Sequence, residues 1–80
     1  MNRSVKVKQE NWRSRIVCDP QVHHGEPCIR GTRIAVSVVV ASLADLTLDE
    51  VLEQYPVLNR EDVQAALYFA AEASNTTVVA

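Results

Sequence analysis

The chain has 80 residues, 48% hydrophobic and 22% charged, with a formal net charge of −2. That length makes one small domain, which buries roughly 60% of the surface its unfolded form exposes, and the composition excludes intrinsic disorder. No apolar run approaches the roughly 18 residues of a membrane span, and a chain this small has little room for a catalytic pocket and the shell that holds it. A cytoplasmic binding module without enzymatic activity is expected.

Residues 1–14 mix basic side chains with Val5, Val7 and Trp12. They lack the apolar centre of a secretory signal and read as a basic arm or an edge strand. Trp12 is too large and apolar to be left in water, so it is expected to dock onto the domain or a partner. Residues 15–73 read as the folded domain and 74–80 as a tail.

Ile16 and Val17 suit a short strand, stopped by the turn-forming pair Asp19-Pro20. Gly25, Pro27 and Gly31 then interrupt the chain too often for a helix. The segment Glu26–Ile34 reads as a tight loop between short strands. Gly25, Pro27, Gly31 and Thr32 shape it, and Arg30 and Arg33 project from it. Gly31 is expected to supply a backbone angle or a close approach that a side chain would forbid.

From residue 37 the pattern is helical. Ser37 is positioned to cap a first, nearly all-apolar helix over residues 38–46. Thr47 and Glu50 have the spacing of a capping box, with Leu46 and Val51 as its hydrophobic staple, and Pro56 ends the helix. Asn59 caps a third helix whose Val63, Ala66, Leu67 and Ala70 form one apolar stripe. Ala65, Phe69 and Ala73 form a second strip beside it, broad enough to meet another subunit. Ser74–Thr77 ends the helix, and Val78–Ala80 frays or adds a strand to a partner. The fold class is mainly α: a three-helix, helix-turn-helix-like core with a short N-terminal β-hairpin region.

Cys18 and Cys28 are ten positions apart with His23 and His24 between them. No close cysteine pair of the kind zinc knuckles use is present, so no metal or other cofactor is expected, and a disulfide is unusual in a cytoplasmic chain. Catalysis by His23, His24, Cys28 and Asp19 lacks an opposing scaffold. Charge is divided along the chain. Residues 1–33 hold seven basic and three acidic side chains, whereas residues 34–80 hold Arg60 against seven carboxylates. Either one end suits phosphate and the other a basic protein, or the two are solvated faces that keep the molecule soluble.

The blocks Arg15-Ile16-Val17-Cys18-Asp19-Pro20 and His24-Gly25-Glu26-Pro27-Cys28-Ile29-Arg30-Gly31-Thr32-Arg33-Ile34 closely resemble the bacterial domain of unknown function four-three-three. Thr47-Leu48-Asp49-Glu50 and Tyr55-Pro56-Val57-Leu58 continue its pattern, and the likeness covers about residues 13–73. The family usually has Lys where Glu26 stands and Ser where Cys18 stands. The resemblance implies a hairpin followed by a trihelical core, and an antitoxin of VapB type that silences a PIN-like ribonuclease. The expected partners are that ribonuclease, operator DNA and a second copy in a homodimer, with no membrane. Candidate DNA contacts are Arg30, Arg33, Asn59, Arg60 and Gln64. Candidate partner contacts are Trp12, Arg15 and Phe69. The alternatives are a DNA-binding regulator without a toxin and a free-standing protein-interaction module.

Overall fold

The computed structural model describes residues 11–77. A 3-10 turn, Trp12–Arg15, leads into strand β1 (Ile16–Val17). A second 3-10 turn, His23–Gly25, precedes strand β2 (Cys28–Ile29). Three helices follow: α1 (Val36–Ser42), α2 (Leu48–Gln54) and α3 (Arg60–Thr77). The protein is mainly α, with a small antiparallel sheet near its start. The expected strand at Val5–Val7 and the tail residues 78–80 lie outside the described residues. The proposed boundaries shift as well: residues 12–14 belong to the folded body rather than to an arm, and residues 74–77 continue α3.

β1 and β2 pair in the register Ile16↔Ile29 and Val17↔Cys28, and Cys28 also bridges Ala35. The chain therefore reaches α1 already extended, and this explains why Ser37 is not the cap. Ala35 takes that place in an extended conformation, and the Val36 N–H donates to the Pro27 carbonyl at 2.9 Å. With an orphan donor of the first turn satisfied by the hairpin, the helix starts without a capping side chain. The Ser37 hydroxyl instead donates to the Glu26 carboxylate at 3.1 Å. Nor is α1 buried all round: Val36 and Val39 enter the core, while Val38 is 43% exposed.

The other two helices begin with reciprocal caps. Thr47 Oγ1 accepts from the Glu50 N–H, and Glu50 Oε1 accepts from the Thr47 N–H. Asn59 and Asp62 repeat the arrangement at the head of α3, at 2.9 and 3.1 Å. The core is formed by Ile29, Val36, Val39, Val51, Leu58, Val63 and Ala66, with Ile16, Leu46 and Phe69 packed at its margin.

Helix α3 packs chiefly on α1 and on the Trp12–Arg15 turn, and more lightly on α2. Its buried face is rotated from the expected stripe. Val63, Ala65 and Ala66 are fully buried, but Leu67 is 44% exposed. The reason is Trp12, itself buried, whose ring lies 6.0 Å from that of Tyr68 and edge-on to Phe69 at 6.5 Å. Covering this flank turns α3 toward its Ala65–Phe69 side. Among the described residues no helix is long and apolar enough to cross a membrane.

Candidate functional site

The loop that carries Arg30 and Arg33 is held by short-range bonds. Thr32 donates its N–H and its hydroxyl to the Ile29 carbonyl, at 3.0 and 2.8 Å, and its Oγ1 accepts from the Ile34 N–H at 3.0 Å. Gly31 turns the chain at φ +79° with nothing within 4 Å of a Cβ placed there, so the requirement is the angle and not a close approach. Gly25 turns at φ +87°, next to His24 at φ +57°. The Arg30 N–H donates to the Arg15 carbonyl at 2.7 Å, and the Arg30 Nε donates to the Ser14 carbonyl at 2.6 Å. Arg30 thus ties the loop to the Trp12–Arg15 turn.

Arg15 reaches the other way. Its Nη1 lies 3.0 Å from Asp62 Oδ1, while Asp62 Oδ2 accepts from the Asn59 N–H. Asp62 is one of the few charged residues withdrawn from solvent. It joins the N-terminal turn to the head of α3, a role its place in the sequence did not indicate. Its Asn-x-x-Asp spacing is a shortened capping box, the one available signal. Arg13 stands 4.6 Å over the Trp12 ring and pairs with Glu72 on α3.

These ties decide what the candidate residues offer. Trp12 and Phe69 pack against each other within the chain, and Arg15 is held by Asp62, so all three serve the fold before any partner. Arg30 and Arg33 are exposed on the loop after β2, whereas Asn59, Arg60 and Gln64 are exposed at the head of α3. The Asn59 side chain accepts from the Asp62 N–H, and Arg60 lies 3.6 Å from Asp49 in a pair exposed to water. Such a pair adds little stability, but it offsets the one cation of residues 34–80.

Around that pair, α2 and the head of α3 present Asp49, Glu50, Glu53 and Glu61, all exposed, with Asp45 on the preceding turn. A DNA-reading helix needs cations that displace the counterions of phosphate, and this surface carries the opposite charge.

Cys18 is exposed and Cys28 buried, both as free thiols. Burial pushes the Cys28 thiol above its ordinary range, and Glu26 and Cys18 add to the shift. A thiol so placed is neutral and unreactive near pH 7. Among the described residues no three His, Cys, Asp or Glu side chains are grouped to hold a metal ion.

A family model described as "Protein of unknown function (DUF433)" matches residues 16–70. Among solved structures, the chain is similar to the crystal structure of a DUF433 member protein from Anabaena variabilis ATCC 29413. The two share 28% identity over 94% of this chain and 74% of that one, with a TM-score of 0.69. No curated protein matches the chain.

Proposed function

This chain belongs to the DUF433 family, and from that premise we propose that it is a binding protein of antitoxin type, which silences a PIN-like ribonuclease through the acidic face of α2 and the head of α3. The observation that carries the reading is the exposed row Asp49, Glu50, Glu53 and Glu61, with Arg60 drawn onto Asp49. A ribonuclease must attract a polyanion, so the approach to its active site is cationic. An acidic face competes with RNA for that approach, and charge complementarity sets its on-rate and its specificity.

The test is co-expression with the product of the adjacent open reading frame, followed by co-purification and a ribonuclease assay. A complex with suppressed RNA cleavage is expected. Glu53→Lys with Glu61→Lys reverses two exposed charges outside the capping bonds and is expected to weaken the complex about tenfold or more, most strongly at low salt. Absence of any complex overturns the reading.

Operator binding is the second reading, favoured by the two exposed arginines on the rigid Arg30–Arg33 turn. It requires the acidic head of α3 to face away from phosphate and a second copy to double the cations. A salt-dependent mobility shift on upstream DNA, lost in Arg33→Ala, supports it. No shift at low salt removes it.

A further inference from the structure

We draw no further inference here: the strongest candidate, the outward face of α3 where Leu67 stands exposed between Gln64 and Ala71, carries nothing because nothing in the structure shows what covers it.

Discussion

At Gly31 the chain turns through φ +79° into open space, so an added methyl group meets no neighbour and suffers only the backbone. Gly31→Ala is therefore expected to destabilise the fold by about 1–2 kcal/mol, the ordinary penalty of an L-residue in the left-handed region. A lowered urea midpoint with an unchanged slope checks it. Cys28 makes a second prediction at this scale. Its folded thiol ionises at higher pH than its unfolded one, so the native state holds more protons once the unfolded thiol begins to ionise near pH 8.5. The contribution is fully present below that pH and is lost as pH rises toward the folded value. Urea midpoints of the wild type should fall between pH 7 and pH 10 more steeply than those of Cys28→Ala. An equal slope in the two proteins refutes the assignment.

The helix starts at Thr47 and Asn59 were legible because a cap is a local device: its donors and acceptors lie within three residues of each other. Thr47→Ala is expected to cost about 1 kcal/mol by thermal unfolding. The start of α1 was misread because its cap is not local. The hairpin supplies the Pro27 carbonyl from nine positions upstream, and no helix-start rule looks that far. The same distance hides the Arg15–Asp62 bond, which spans 47 positions. Asp62→Ala removes the acceptor of both Arg15 and the Asn59 N–H, so it should destabilise more than Thr47→Ala does. A double-mutant cycle with Arg15→Ala should return a coupling of about 0.5–3 kcal/mol. A coupling near zero means that Arg15 and Asp62 are neighbours without being partners. The acidic face was readable as charge, but its relief was not. That Val38 and Val57 stay exposed while Val39 and Leu58 are buried depends on where α1, α2 and the hairpin meet.

In a chain of 80 residues, net stability is a small difference between large terms, and one large side chain weighs heavily in it. Trp12 is that side chain. It is the single tryptophan, buried against Tyr68 and Phe69, and the Arg13–Glu72 and Arg15–Asp62 pairs flank it. The N-terminal turn is thus bolted to the far end of the sequence, and the domain closes on itself through it. Trp12→Ala is expected to cost about 3–5 kcal/mol, enough to populate unfolded molecules visibly at 37 °C, with Trp12→Phe recovering part of the loss. The sharper test uses the wild-type protein, because tryptophan emission reports the docked turn alone while far-UV circular dichroism reports the three helices. If the turn is part of the folding unit, the two urea transitions superimpose. If it is an arm resting on a finished trihelical core, the emission shifts to the red before any helix melts. The buried ring, the bond to the α3 cap and the bond from Arg30 to Ser14 all require coincidence. A separated first transition would mean that the core stands without its N-terminal turn.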